Sequence, residues 1–550
     1  MKSMTDTVFP QPESALDSPF YKAEIARDME ALLEAIHTKD CAILEKDDII
    51  QKKSQVIEEQ KKRIAILEEY LRLERARLYG RSSEKSSPQG EIFNEAELVD
   101  CATQSNDDEP EQPEADPKPR KGRKGRKPFS PSLPRVQERA KLSEEEKAGA
   151  IDTFFVKVRE ELDIVPAKVQ VKEILQEKAV YPETDEHGQE KRVIKAATLP
   201  KHPLPKSSLS VSTLAWIIVS KYCDALPLYR QENMLKRYGG SVTRTTMANS
   251  LIRLSLQLQP LINLMRDHQK AGSVINADET RIQVIKETSK SINSDKYMWV
   301  SLGGPPGQPS VLFEYDPSRS REVPLRLFEG FSGYLQTDGY ASYHAVCKQE
   351  GITQAGCFDH VRRKFVDAKK AEAKPGKKVK NTRVSKADVA LGKIRKLYAI
   401  EAEIEELSAA EKLAIRQKKS KPLLDDLHQW LEKNIVRLLP GSVTHEAMSY
   451  ALNQWPKLVV YCECGDLAIS NAAAENVIRP FAIGRKNWLF ADTPNGARAS
   501  ALFYSLVESA KANGLEPFEY LNHVLKELPY ADTVEKLECL LPWAVKASQE

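Results

Sequence analysis

Three acidic residues sit where acids are costly. Asp278 falls inside the apolar, strand-like run "SVINADETRIQVI", and Asp338 ends the strand-like "GYLQTDGYASY" segment directly before a glycine. Glu475 follows three alanines in "SNAAAENVIRPFAIGRKNWLF", a helix-like stretch with no acidic face around it. A carboxylate within or ending a buried strand is unfavourable unless it is paired or bound to a cation. If the two strands are neighbours in a sheet, Asp278 and Asp338 meet at one rim, and Glu475 can join them from a later helix. Three carboxylates around one point suit hard divalent cations, Mg²⁺ or Mn²⁺. Two such ions about 4 Å apart activate a water or a 3′-hydroxyl and stabilise the oxygen leaving a phosphodiester. Residue types alone also allow three unrelated surface acids.

The cations are grouped rather than spread. Arg479, Arg485, Lys486, Asn487 and Trp488 follow Glu475 directly, and this basic-aromatic block suits a polyanion better than a core. Arg362 and Arg363 lie in "CFDHVRRKF" and join the expected DNA contacts. Arg120, Lys121, Arg123, Lys124, Arg126 and Lys127 are spaced by glycines in "RKGRKGRKPF", a narrow, extended pattern able to enter a minor groove or follow phosphates. A merely solubilising basic tail is the alternative. Near "KRYGGSVTRTTMANS" a glycine turn separates two helical patterns, and Arg244 and Asn249 would face a groove if the second helix reads DNA. Helix hairpins that only pack have the same pattern.

These residues need several elements to position them, and a chain of 550 residues is too long for one core. Residues 20–85 predict a coiled-coil helix, because Met29, Ile36, Ile43, Ile50, Ile57, Ile64, Leu71 and Leu78 recur at every seventh position. The other seam position is poor, so a single amphipathic helix folding back on the body is the alternative. Residues 86–135 read as a disordered linker, first acidic and then basic. Residues 136–205 carry strand-like pieces such as "VPAKVQVKEIL" without an assignable chemistry. A helical, helix-turn-helix-like region is expected over 206–270, then strands and helices over 271–365 and 461–515, separated by a helical stretch over 366–460 and followed by helix over 516–550.

With 41% hydrophobic residues, 29% charged residues and a net charge of +3, the chain reads as globular modules joined by exposed stretches. Eight cysteines without a dense framework fit a reducing compartment rather than a disulfide scaffold. No run approaches a membrane span and the N-terminus lacks a signal-peptide pattern, so a cytoplasmic location is expected. Cys357 and His360 sit together in "CFDHVRRKF", and Cys462 and Cys464 form a tight pair in "YCECGD". A zinc site needs four ligands in range, and none is expected here.

"INADET", "LQTDGYASY", "CFDHVRRKF", "AENVIRPFAIGRKNWLF", "ASALFYSLVESAKANGLEPFEYL" and "LLPWA" together resemble transposases of the insertion-sequence-66 family, as do "LYGRSSEK" and "VSKYCDALPLYRQE". The resemblance implies a multidomain α+β protein with an RNase-H-like α/β catalytic core and a helical insertion. It makes Asp278, Asp338 and Glu475 the catalytic, metal-binding triad of a DDE recombinase that cuts element ends and joins their 3′-hydroxyls to target DNA. It also implies element ends and target DNA as partners, with self-association through the N-terminal helix and small accessory proteins of the same element. An inactive DNA-bridging descendant and a nuclease without strand joining are the rival readings. Two departures stand out. The family commonly has two asparagines ahead of the glutamate, whereas Asn471 is followed here by Ala472. Relatives often carry a cysteine-rich zinc segment after the basic linker, and residues 136–205 hold no cysteine.

Overall fold

The computed structural model describes residues 19–79, 169–184, 190–288, 294–372 and 384–549. The basic run at 120–127 and the linker expected over 86–135 lie outside these residues.

Helix α1 (Pro19–Tyr79) is continuous, as an unbroken run without internal proline or glycine requires. Its heptad residues from Met29 to Leu71 are all about half exposed or more, so the seam is not folded back on the body. Only the last turns dock: Leu73 is buried, Arg72 Nε donates to the Ala371 carbonyl at 3.0 Å, and Arg77 pairs with Asp367 at 2.8 Å. Hairpin β1 (Lys178–Thr184) and β2 (Glu190–Ala196) is antiparallel. The strand-like reading therefore shifts, because residues 169–177 are coil and pairing begins just after them.

Helices α2 (Val211–Tyr222), α3 (Leu228–Arg237) and α4 (Arg244–Lys270) follow, with Ser210 and Thr243 capping α2 and α4 through their side-chain oxygens. At Gly239 the φ of 82° is one that a side-chain-bearing residue resists, which ends α3 where the glycine pair stands. The second helix of this hairpin is long: its start is exposed, while Leu254, Leu258, Leu261 and Met265 bury against the sheet layer.

The sheet contains β3 (Val274–Val284), β4 (Lys296–Gly303), β5 (Ser310–Asp316), β6 (Gly333–Gln336) and β7 (Ile352–Ala355), in the order β5-β4-β3-β6-β7. The first three strands are antiparallel neighbours, whereas β6 runs parallel to β3 and β7 parallel to β6. Between β5 and β7 stand α5 (Glu322–Leu327) and α6 (Tyr343–Val346). Strand alternation separates the two faces. Met298, Val300, Ile282 and Val284 pack toward α4 and the C-terminal helices, while Ile275, Ala277, Trp299 and Leu335 pack toward α5 and α6.

Helix α7 (Phe358–Glu372) leaves the sheet and enters a helical module with α8 (Lys386–Glu403), α9 (Ala409–Ile415), α10 (Lys421–Ile435) and α11 (Val443–Leu458), which has its own core of Phe365, Ile394, Leu397, Leu427 and Leu431. The chain returns through α12 (Ala472–Trp488) and short β8 (Phe490–Ala491), which pairs with the end of β3. Helix α13 (Pro494–Ala512) then covers the edge strand β5. Ser505 Oγ accepts from Phe313 N at 2.8 Å and Ser509 Oγ from Val311 N at 2.9 Å, giving partners to edge amides that the sheet leaves open. Helices α14 (Pro517–Glu527), α15 (Val534–Glu538) and α16 (Pro542–Gln549) close the same core.

Candidate active site

Parallel register builds the site. Asn276 pairs with Gln336 across β3 and β6, and Asp278 and Asp338 each follow two residues later. Period-two alternation keeps Asn276 and Asp278 on one face of the sheet. That face is the one on which α12 lies, so Glu475 in its first turn approaches the two aspartates. Asp278 is half-buried and its carboxyl is pushed well above the usual carboxylate range, first by burial and then by Glu279, Asp338 and Glu475 beside it. Glu475 is buried and raised by its burial, and His360 and Arg363 partly offset that rise.

An amide network fixes the three segments against one another. Asn276 Nδ2 donates to Gln336 Oε1 at 2.9 Å and to Asn471 Oδ1 at 3.1 Å. Asn471 Nδ2 donates in turn to the Ala277 carbonyl at 2.9 Å, and Gln336 Nε2 to the Ala468 carbonyl at 2.7 Å. Every link is buried or half-buried, where a satisfied amide specifies position and an unsatisfied one is costly. Asn471 thus does its bridging alone, with Ala472 in the place of a second amide. Sequence reading missed Asn276 and Gln336, although the spacing was visible: each stands two residues before an aspartate, in "NAD" and "QTD".

Support also comes from the opposite face. Glu279 points away from Asp278 and is buried. It accepts from Arg319 Nε at 2.9 Å and from the Tyr343 hydroxyl at 2.6 Å. Arg319 stacks on Tyr340, 3.6 Å from the ring centroid, and the Tyr340 amide donates to Asp338 Oδ1 at 2.9 Å. The turn holding Asp338 is therefore tied through one arginine to the strand holding Asp278. These residues carried no signal in the sequence, because Arg319 lies in a loop between β5 and α5.

By donor chemistry three carboxylates suit a hard divalent cation, although among the described residues their oxygens are not drawn together as closely as those of a metal-capable group. The charged forms of Asp278 and Glu475 are disfavoured, by burial first, and the buried Glu475 Oε1 has no hydrogen-bond partner. Cys462 and Cys464 do not join it. Among the described residues the metal-capable grouping is Cys357, His360 and Glu475, while the carbonyls of Cys462 and Cys464 accept from Gln417 and Arg416.

Comparison with known proteins shows the family. The model of the transposase IS66 family matches residues 206–499. The chain belongs to the IS66 transposase family. Its residues 505–543 match the IS66 C-terminal element, and residues 66–137 match a model described as transposase C of IS166 homeodomain, a span that takes in the basic run. Two uncharacterised proteins of Sinorhizobium fredii (strain NBRC 101917 / NGR234) are similar. Protein y4qI is 31% identical over 399 residues, 70% of this chain and 71% of its own length. Protein y4hP is 30% identical over 406 residues, 71% and 70% respectively. No solved structure matches. No helix among the described residues is long and apolar enough to cross a membrane.

The cations of this IS66-family chain are placed unequally. Arg485 lies on β3, its Nη1 donating to Thr280 Oγ1 at 3.0 Å and to the Arg281 carbonyl. With Arg281 and the exposed Lys486 it lines a cleft of about 510 Å³ that also includes Asp295 and Leu489. Trp488 is half-buried, packed on Tyr504 and under the Lys221 ammonium, and a Cβ at Gly484 would meet its ring at 2.4 Å. Asn487 Nδ2 donates to the Ala225 carbonyl at 2.9 Å, tying α12 to the loop between α2 and α3. Arg362, Arg363 and Arg479 are half-buried beside the carboxylates' helices, whereas Arg244 and Asn249 are exposed at the start of α4.

Proposed function

We propose that this protein is a DDE-type transposase that cuts the ends of its insertion sequence and joins the freed 3′-hydroxyls to target DNA. The observation that carries the reading is the approach of Asp278, Asp338 and Glu475 from three separate segments, where burial first and then the neighbouring carboxylates raise the Asp278 carboxyl. Mutual repulsion there gains nothing for the fold, so the arrangement makes sense as a cation site. The sheet order, with β6 and β7 parallel to a central β3, supports an RNase-H-like core into which α8 to α11 are inserted.

Asp278, Asp338 and Glu475 would hold Mg²⁺ or Mn²⁺, two ions in the working site. Such ions supply activation of the attacking oxygen and stabilisation of the leaving one. The chain's own part is positioning: the amides of Asn276, Gln336 and Asn471 hold the carboxylates in register, and Arg319 holds the Asp338 turn. Arg485 and Lys486 offer phosphate contacts along the cleft beside β3, with Trp488 and Asn487 bracing their helix. Arg244 and Asn249 offer a second, exposed DNA contact as a helix-turn-helix reader, and Arg362, Arg363 and Arg479 lend positive potential near the acids. Exposed heptads on α1 favour pairing of two copies, which would bring two element ends together.

The test uses DNA carrying the inverted repeats that flank the gene, incubated with protein and Mg²⁺, beside Asp338→Ala. Nicking and strand joining by the wild type, lost in the variant, are expected. Cleavage without any joined product would make the protein a nuclease, and binding without cleavage, with accessory proteins of the element present, would make it a DNA-bridging protein.

A further inference from the structure

Glu475 has two neighbours that a hard-cation site does not use. Cys357 and His360 stand three residues apart, one directly before α7 and the other in its first turn, so both side chains face the start of α12. Ligand atoms of Cys357, His360 and Glu475 all lie within 4.8 Å of one another, and His360 Nδ1 is 3.9 Å from Glu475 Oε1. We propose that these three residues form a second metal site, for Zn²⁺ or a similar soft-to-borderline transition-metal ion, which shares Glu475 with the carboxylate triad.

Unmet bonding capacity argues for the site. His360 Nδ1 and Glu475 Oε1 are both buried without a hydrogen-bond partner, and Glu475 is 6% exposed. The two atoms face each other across 3.9 Å, within ion-pair reach but too far for a hydrogen bond, and a cation bound by both would supply the contact that each lacks. The donor set of one thiolate sulfur, one imidazole nitrogen and one carboxylate oxygen is that of a zinc site with an open fourth position. Mg²⁺ would not choose sulfur and nitrogen, so the two sites differ in the ion they select. Cys357 is 4% exposed, and its Sγ already accepts from the Asn471 amide at 3.2 Å. The backbone N–H of His360 donates to the same sulfur, and the two amides fix its position. Burial pushes the Cys357 thiol well up, and a cation at the site supplies the charge that the thiolate lacks. On binding, the S–H bond breaks, the sulfur–metal bond forms and one proton passes to solvent. Ligands of a tetrahedral zinc at about 2.0–2.3 Å stand about 3.3–3.8 Å apart, so atoms now within 4.8 Å of one another need to draw together by up to about 1 Å.

Sharing has a consequence, which rests on the triad reading above. An ion bound to Cys357, His360 and Glu475 Oε1 holds Glu475 away from the Asp278–Asp338 pair. Zinc at this site therefore opposes Mg²⁺-dependent cleavage.

The probe is Co²⁺, titrated into the full-length protein after chelator treatment. A thiolate-to-cobalt charge-transfer band is expected, saturating at one ion per chain and displaced by Zn²⁺. Cys357→Ser abolishes the band, and His360→Ala weakens binding by at least about tenfold, since even outer-shell changes cost 10- to 100-fold. Changing Cys462 and Cys464 together to Ser leaves the band intact. Absence of the band, or its survival in folded Cys357→Ser, overturns the site. His360→Ala, which changes a half-exposed ring, decides the matter should Cys357→Ser misfold. Zinc should also slow Mg²⁺-dependent cleavage by wild type more than by His360→Ala, each against its own zinc-free rate, and equal slowing overturns the shared ligand. A protein that never cleaves DNA but keeps the Cys357-dependent band retains the metal site and loses the triad reading.

Discussion

Replacing Asn471 by alanine tests how the site is held. The side chain is 1% exposed, donates to the Ala277 carbonyl and accepts from Asn276 Nδ2. A buried hydrogen bond contributes about 0.5–1.5 kcal/mol net, and a partner left unpaired adds more. Asn276 keeps its bond to Gln336, so the loss is dominated by the Ala277 carbonyl and one broken link, about 2–3 kcal/mol in all. A chain of several modules does not unfold as one unit, so a global midpoint would dilute the effect. Local opening measured by amide hydrogen exchange does not. At about 1.4 kcal/mol per tenfold, exchange over 472–488 should quicken roughly 30- to 160-fold, with no change over 517–527. Activity should fall with it, because Glu475 rides on the same helix. A double change with Asn276→Ala should cost less than the sum of the single changes. Unchanged protection over 472–488 would refute the idea that this amide positions Glu475.

Three further outcomes follow from the same geometry. Asp278→Asn should abolish cleavage yet raise thermal stability at neutral pH. The folded carboxyl titrates above its unfolded value of about 3.9, so the folded state binds more protons in that window and wild-type stability falls as pH rises through it. The gap between variant and wild type should therefore open above about pH 4 and persist at neutrality, and thermal scans between pH 4 and 8 in chelator check it. Arg319→Ala should cost about 3 kcal/mol by stranding the buried Glu279, read as faster exchange in β3 and around Asp338, and Arg319→Lys should recover part of it. Lys486→Ala should lower the slope of log K against log salt by about 0.9 if this exposed cation meets one phosphate, as filter binding over a salt series will show.

Legibility in the sequence followed local pattern. Strands β3 to β6 were readable because apolar alternation and flanking glycines mark them, and the three acids stood out against it. The four-residue β7 was missed, since "ITQA" is too short to show a period. The basic-aromatic block reads as one polyanion surface, but in three dimensions its members divide. Lys486 is free to solvent, while Trp488 and Asn487 brace the helix, a distinction set by Tyr504, Lys221 and Ala225 far away in the chain. The pairing of Glu279 with Arg319 was equally hidden, because loop residues acquire partners only through the fold.

The helical insertion is more than a spacer between Asp338 and Glu475. Arg416, buried in the insertion and paired with Glu401 at 2.6 Å, donates to the carbonyls of Tyr461 at 3.1 Å and Cys464 at 2.9 Å. Those carbonyls belong to the segment that leads into α12. Helix α11 also supplies the Lys457 carbonyl that accepts from Gly356 N at 2.9 Å, just before Cys357. The insertion therefore grips the chain on both sides of the locus: where it leaves the sheet toward α7 and where it returns toward Glu475. The docked end of α1 lies on this same module, through Arg72 and Arg77. The docked end of α1 and the segment leading to Glu475 therefore rest on the same helical module, not on the strands that carry the aspartates.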